Sequence, residues 1–226
     1  MYKRQDLNFQ ELQSRFDDVL LHYRTTQEMT PVAVCHAMLR TRLPRLALNR
    51  CRVGSSTIAG AGLGLFATRD ILPGELITCF PGDALLLWSK AVGDFSGDVG
   101  VMVGAHITMV GDDQSAKEKK DIQQQVTSDA ARSYELKIGD LESLVADPAR
   151  IDDAAYLGHM ANDRAMLVAA DPASRQAYSA ATLAGHNAAF FDMAGCHFVA
   201  TATKRIAKDE EIFVSYGEGY WMSRIL

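Results

Sequence analysis

The feature that most restricts the fold is a glycine-rich turn followed almost at once by a proline. Residues 60–64 read Gly60-Ala61-Gly62-Leu63-Gly64, and Leu65-Phe66-Ala67 continues as a short apolar run. Gly62-Leu63-Gly64-Leu65-Phe66-Ala67 satisfies the dinucleotide-binding fingerprint in its alanine-ended form. That fingerprint works only where a helix starts inside it, because the helix N-terminus holds the pyrophosphate. Here Pro73-Gly74 follows closely, and proline both lacks a backbone donor and clashes with the preceding helical turn. The context therefore rejects a Rossmann unit and reads the segment as a turn between short strands. A hairpin turn with glycine at positive φ needs no ligand, so the turn alone leaves function open.

The flanking sequence extends that pattern. Residues 51–58 and 76–80 have strand character, and Pro73-Gly74 punctuates the stretch between them. Near the C-terminus, residues 197–203 alternate as a strand, Lys208-Asp209 makes a turn, and residues 211–216 form another strand. Short strands between turns, without long βαβ crossovers, predict an α+β fold that is mainly β.

The first 48 residues differ in texture. Phe9, Leu12, Phe16, Val19, Leu20 and Tyr23 recur at three- and four-residue steps, predicting an amphipathic helix over 6–23. Thr30-Pro31 reads as an N-cap with proline at the first helical position, opening a second helix that Pro44 stops. This N-terminal helical appendage (1–48) either covers one side of the main domain or docks a partner protein. The main domain is expected over 49–226, with insertions near 89–132 and 166–186. The first of these carries several glycines and a polar run with Lys117, Lys119 and Lys120, read as a solvated face.

Composition narrows the partners. The 226 residues carry a net charge of −5, with 48% hydrophobic and 23% charged residues. That supports a packed core, and a domain holding nucleic acid by its phosphates would show a basic surplus instead. Direct nucleic-acid binding is not expected. The four cysteines, Cys35, Cys51, Cys79 and Cys196, form no close pair, so no metal site is expected. The six histidines are scattered and read as satisfied structural residues. No apolar run is long enough to span a membrane, and Lys3, Arg4, Asp6 and Gln10 interrupt any signal peptide. An intracellular protein, nuclear or cytoplasmic, is expected.

Three segments together resemble the SET-domain family of protein-lysine N-methyltransferases. The Gly62–Ala67 turn, followed by Arg69-Asp70-Ile71 and Pro73-Gly74-Glu75-Leu76-Ile77, is similar to the family's first motif. Ala202-Thr203-Lys204-Arg205-Ile206, Asp209-Glu210-Glu211-Ile212 and Ser215-Tyr216-Gly217 resemble its last motif. Between them, Ile151-Asp152-Asp153-Ala154-Ala155 and Gly158-His159-Met160-Ala161-Asn162 resemble the lead-in to an asparagine-histidine-serine-cysteine run. Asn162 falls on the family's asparagine, whereas Asp163, Arg164 and Ala165 replace histidine, serine and cysteine. Asn187-Ala188 matches the family's second asparagine, after the 166–186 insertion.

The resemblance implies a SET-domain β-fold with a knot-like C-terminal arrangement, S-adenosylmethionine as cofactor, and methyl transfer to a lysine through an aromatic channel. It assigns Gly62, Leu63, Gly64, Asn162 and the backbone near Asp163 to cofactor binding, and Tyr216 to the catalytic tyrosine. Tyr134 corresponds either to the tyrosine beside cofactor and lysine or to an ordinary packed tyrosine. Phe213, Val214, Tyr220 and Trp221 are assigned to the substrate channel, with core packing the alternative for the aromatics. Val214 stands where an aromatic residue usually limits methyl number, which removes the basis for choosing mono-, di- or trimethylation. The implied partner is a lysine-bearing protein, a histone tail among the candidates. The Asp163-Arg164-Ala165 departure motivates the alternative, a catalytically inactive SET-fold subunit that binds or scaffolds, with chromatin among the candidate settings.

Overall fold

The structure is a computed structural model that describes residues 7–26, 36, 38–40, 42–43, 46–87, 100–103, 133–139, 142–193 and 197–225. The expected second helix and the lysine-bearing run of the first insertion lie largely outside the described residues. The described chain is mainly β-sheet with a few helices.

Strand β1 (Cys51–Ser55) and β2 (Leu63–Ala67) form an antiparallel hairpin, pairing Cys51 with Ala67 and Ser55 with Leu63. The turn between them places Gly60 at φ 81° and Gly62 at φ 72°, conformations that disfavour any residue with a Cβ. Ser56 N–H donates to Gly62 O at 2.9 Å and closes it. Leu65, Phe66 and Ala67 are all buried, because β2 is the middle strand: β10 (Glu211–Ile212) pairs antiparallel on its other edge. A strand covered on both edges and both faces reads as a continuous apolar run rather than an alternation.

A second sheet has the order β3-β9-β8, from β3 (Leu76–Cys79), β8 (Ala188–Met193) and β9 (His197–Ala202). The third has the order β5-β4-β7-β6, from β4 (Ala84–Leu87), β5 (Gly100–Val103), β6 (Glu135–Lys137) and β7 (Glu142–Val145). The two distant motifs are joined by backbone bonds. Gly74 N–H donates to Ala202 O at 2.8 Å, Ala202 N–H returns to Glu75 O at 3.0 Å, and Ile71 bridges Ile206. The Pro73-Gly74 turn is thereby fixed against the end of β9.

Helix α1 (Phe9–Thr26) begins at a reciprocal cap. Asn8 Oδ1 accepts from Glu11 N–H at 2.9 Å, and Glu11 Oε2 accepts from Asn8 N–H at 3.1 Å, a capping box that starts the helix later than the apolar spacing alone suggested. Leu12, Phe16 and Leu20 are buried with Leu76, Cys79, Tyr156 and Val199, and Phe16 stacks on His197 with ring centroids 3.8 Å apart. Burying Leu12 and Phe16 contributes roughly 2–3 kcal/mol each. Arg50, also buried, bonds Leu7 O at 2.9 Å and Leu76 O, linking the chain before α1 to β3.

Two segments differ from the sequence reading. The expected strand over 211–216 pairs only at Glu211 and Ile212. Beyond these, Phe213 makes a parallel bridge to Asn162, and Asn187 Oδ1 accepts its N–H at 2.8 Å. A side chain satisfies that N–H, while Phe213 O accepts from Ala188 N–H at 3.1 Å and Val214 N–H donates to Asn162 O at 3.0 Å. The residues after Tyr216 then form a helix, α3 (Glu218–Ile225). The 166–186 insertion also contains a helix, α2 (Pro172–Gly185), whose N-cap Asp171 accepts from Ser174 N–H at 3.0 Å, with proline at its start.

Candidate active site

The centre of the site is the segment from Ala154 to Ala165. Two single-turn helices, Ala154–Tyr156 and Gly158–Met160, carry the chain across β3. Asp153 caps the first by accepting from Ala155 N–H at 3.0 Å. The buried Thr78 hydroxyl donates to Ala154 O at 3.0 Å and accepts from Leu157 N–H at 2.8 Å. So anchored, the segment delivers Asn162 and Asp163 between the glycine turn and the C-terminal motif.

Asn162 faces the glycine turn. Its Nδ2 donates to Leu63 O at 2.8 Å and to Glu211 Oε1 at 3.2 Å. Glu211 also accepts from Ser56 hydroxyl at 2.7 Å, Thr57 N–H at 2.6 Å and Thr57 hydroxyl at 2.5 Å. Burial raises the pKa of Glu211, but the bonds from Thr57, Ser56 and Asn162 outweigh it and hold the carboxyl below its ordinary range. Gly64 sits against this pair: a Cβ there would stand 2.2 Å from Glu211 Oε1 and 3.1 Å from Asn162 Nδ2. At Gly62, by contrast, a Cβ would meet nothing within 4 Å. The two glycines thus serve different ends. Gly64 makes room for an internal carboxylate, and Gly62 keeps a left-handed turn with open space beside it.

Tyr216 is half-buried and lies at the same place. Its hydroxyl donates to Ala161 O at 3.0 Å and stands 3.5 Å from Asn162 Oδ1. Burial, then the neighbouring Tyr220, Asp163 and Tyr134, push its pKa well above the usual phenol value, so the hydroxyl stays protonated. The Tyr216 ring meets Tyr220 edge-on at 4.6 Å and is nearly parallel to Trp221 at 6.1 Å. Tyr134 packs against the same core cluster as Val214 and Tyr216, and it also raises the pKa of Tyr220, after burial as the main cause. Tyr134, Val214, Tyr216, Tyr220 and Trp221 therefore group together. Phe213 is turned away, its ring beneath the Arg164 guanidinium at 5.5 Å.

Asp163 faces the opposite way from Asn162. Its side chain is fully buried. Oδ1 accepts from His186 Nε2 at 2.7 Å and Ala165 N–H at 2.8 Å. Oδ2 accepts from Tyr178 hydroxyl at 2.8 Å, Tyr216 N–H at 3.0 Å and Trp221 Nε1 at 3.0 Å. Burial alone would raise the Asp163 pKa, and these bonds, His186 foremost, bring it below the ordinary carboxylate range. Sequence reasoning placed Asp163 by its backbone only, and missed Tyr178, His186 and Glu211. Glu211 lies within the last motif but was given no role there, and no local pattern marks Tyr178 or His186, although the Asp163 substitution itself signals that a partner must exist elsewhere.

The histidines divide. His186 is hydrogen-bonded as expected. His159 corrects the expectation: it is buried, and neither ring nitrogen has a hydrogen-bond partner among the described residues. It meets Phe80 and Tyr134 edge-on, and burial pushes its pKa down to about 4, so the ring is neutral at physiological pH. No group of three metal-ligating side chains occurs among the described residues, and no described helix is long and apolar enough to cross a membrane.

The glycine turn and the Tyr216 segment that meet across Asn162 both lie within the stretch matched by the family model called SET domain. That model matches residues 62–217, and the chain belongs to the SET-domain family. No curated protein matches it. Among solved structures, 77% of this chain is similar to 16% of a chain in ctPRC2, described as autoinhibited and bound to S-adenosylmethionine, at 19% identity and TM-score 0.39. Similarity to an active polycomb repressive complex 2 in the basal state covers 76% of this chain and 16% of that one, at 19% identity and TM-score 0.38. A candidate histone methyltransferase of Plasmodium falciparum is 15% identical, with 76% of this chain and 96% of that chain covered and a TM-score of 0.33. This chain thus spans only 16% of the length of the matched polycomb-complex chains.

Proposed function

We propose that this chain transfers a methyl group from S-adenosylmethionine to the side-chain nitrogen of a protein lysine. The observation that carries the reading is the position of Tyr216: a protonated hydroxyl bonded to Ala161 O, beside Asn162, with aromatic rings around it. The residues suit the cofactor by their chemistry. Gly62 leaves open space beside the turn, and the ionised Glu211 and the Asn162 amide lie against that turn, a set compatible with a ligand bearing a sulfonium and an ammonium. When bound, S-adenosylmethionine supplies an electrophilic methyl on sulfur.

The chain's own residues do the rest. A free lysine, with pKa near ~10.4, is charged and has no lone pair to offer. Tyr134, Tyr216, Tyr220 and Trp221 supply a partly exposed aromatic wall, and a substrate that covers it displaces water, which disfavours the ammonium and leaves the neutral amine. Because the Tyr216 hydroxyl spends its proton on Ala161 O, its oxygen accepts from the amine N–H and turns the amine lone pair toward the donor. Its raised pKa makes it an orienting acceptor and not a base. Alignment and exclusion of water then supply the rate.

In this reading residues 49–226 are the catalytic domain and 1–48 cover or recruit. A basic, lysine-rich tail such as a histone tail is the first substrate to test, against a chain of net charge −5. Calorimetry should give saturable S-adenosylmethionine binding, and an array of lysine peptides should be methylated on the lysine nitrogen by mass mapping. Absence of saturable binding ends the enzyme reading and leaves a scaffold protein.

A further inference from the structure

We propose that Asp163, held by His186, is a positioning residue for Tyr216 and for the aromatic wall that α3 places beside it. The inference rests on the methyltransfer reading given above and adds residues which that reading does not use.

The argument begins with saturation. A carboxylate offers about four lone-pair sites, and Asp163 accepts from five donors while its side chain has no exposure. Those donors come from separate parts of the chain: Tyr178 on α2, His186 just after α2, the Tyr216 backbone, Trp221 on α3 and the local Ala165. Tyr178 hydroxyl also accepts from Gly217 N–H at 3.1 Å and lies 3.1 Å from Ser215 Oγ. Every residue from 215 to 217, the stretch that carries the catalytic tyrosine, is therefore bonded either to Asp163 or to a residue that Asp163 holds.

Helix α3 makes the consequence larger. It has eight residues, too few to be stable by itself in water, and none of its side chains is fully buried. Its attachments include the partly buried Trp221 and Met222, packed on Ala165, Leu167 and Tyr178, the Arg175–Glu218 ion pair at 3.6 Å, the Tyr220 and Trp221 rings against Tyr216, and the Trp221 bond to Asp163. Of these, the Asp163 carboxylate is the one that holds both the Tyr216 backbone and the wall beside it. The aspartate at position 163 and the histidine at 186 form a built pair, with the imidazole supplied from 23 positions downstream.

The experiment uses the full chain with Asp163→Asn, His186→Asn and Trp221→Phe. The asparagine is isosteric, yet it turns an acceptor toward which several donors point into a donor. Hydrogen exchange should become at least ~10-fold faster in residues 215–225 while β1–β3 keep their protection. The kcat on the peptide that the unmodified chain methylates best should fall about 100-fold, the scale of a displaced reacting group. In Trp221→Phe the Kd for S-adenosylmethionine should stay within about threefold. Trp221→Phe removes a single donor and keeps a ring, so a fall of roughly tenfold in kcat is expected. That variant carries the test if Asp163→Asn does not fold. Unchanged exchange in 215–225, or a Kd loss as large as the kcat loss, would overturn the proposal. If the unmodified chain neither binds S-adenosylmethionine nor methylates, the functional reading fails. The exchange measurement still decides whether Asp163 positions this segment.

Discussion

Asn162 and Asp163 are consecutive in the chain and face opposite surroundings. Asn162 is partly exposed and bonds the glycine turn and Glu211. Asp163 is sealed and bonds the elements behind Tyr216. On the first side, the partners belong to segments that a family pattern recognises: Gly62 to Gly64, and Glu211. On the second, the side-chain partners come from an insertion and the helix α3, joined by the backbone of Tyr216 and Ala165. The difference teaches how far along the chain each side must be read: the Asn162 side is built from short motif segments, whereas on the Asp163 side a buried polar group must be satisfied and donors from several distant elements meet that requirement.

Tyr216 stands where the two sides meet, so replacing it has the largest expected effect. Tyr216→Phe removes the hydroxyl and leaves the ring stack, and kcat for lysine methylation should fall at least ~100-fold with little change in folding. Full activity in that variant would break the assignment. Next comes Gly64→Ala, which forces a methyl into the Glu211 carboxylate. Overpacking there should destabilise the fold by about 2 kcal/mol and weaken S-adenosylmethionine binding measured by calorimetry. Gly62→Ala meets no atoms but demands φ 72° of an alanine, so a loss of about 1 kcal/mol is expected by denaturant unfolding. If the two glycines respond alike, the division between clash and backbone strain fails.

Acid should probe both sides at once, with the smallest effect near neutrality. Asp163 and Glu211 both have folded pKa values below their unfolded ones. Their contribution is fully present above the unfolded values, near ~4, and is lost as pH falls through the lowered folded values. Stability followed by urea melts should therefore be insensitive to these two carboxylates at pH 6–7 and decline below about pH 4. Asp163→Asn should reduce the acid-dependent part of that decline.

Much of the framework was legible because it is written locally. The Pro73-Gly74 turn rejected a Rossmann helix from a few residues alone, and both end motifs show their strands and turns in short windows. The strand expected over 211–216 was too long because after Ile212 the Phe213 N–H passes to the side chain of Asn187, 26 positions earlier, and the Val214 N–H to Asn162 O. The helix at 218–225 was not anticipated because its eight residues make only about two turns, too short a window for helical periodicity to be told from a strand and its turn.

The sequence by itself determined the family, the glycine turn, the amphipathic first helix and the candidacy of Asn162 and Tyr216. These follow from turn chemistry, apolar spacing and short motifs, whose physics acts over a few residues. Only the tertiary structure decided that Gly64 yields space to Glu211 and that His159 is buried without a hydrogen-bond partner among the described residues. It alone showed that Asp163 gathers partners 15, 23, 53 and 58 positions away. A hydrogen bond needs its atoms within about 3 Å in space, and where the chain crosses itself, not its local order, sets which atoms arrive there.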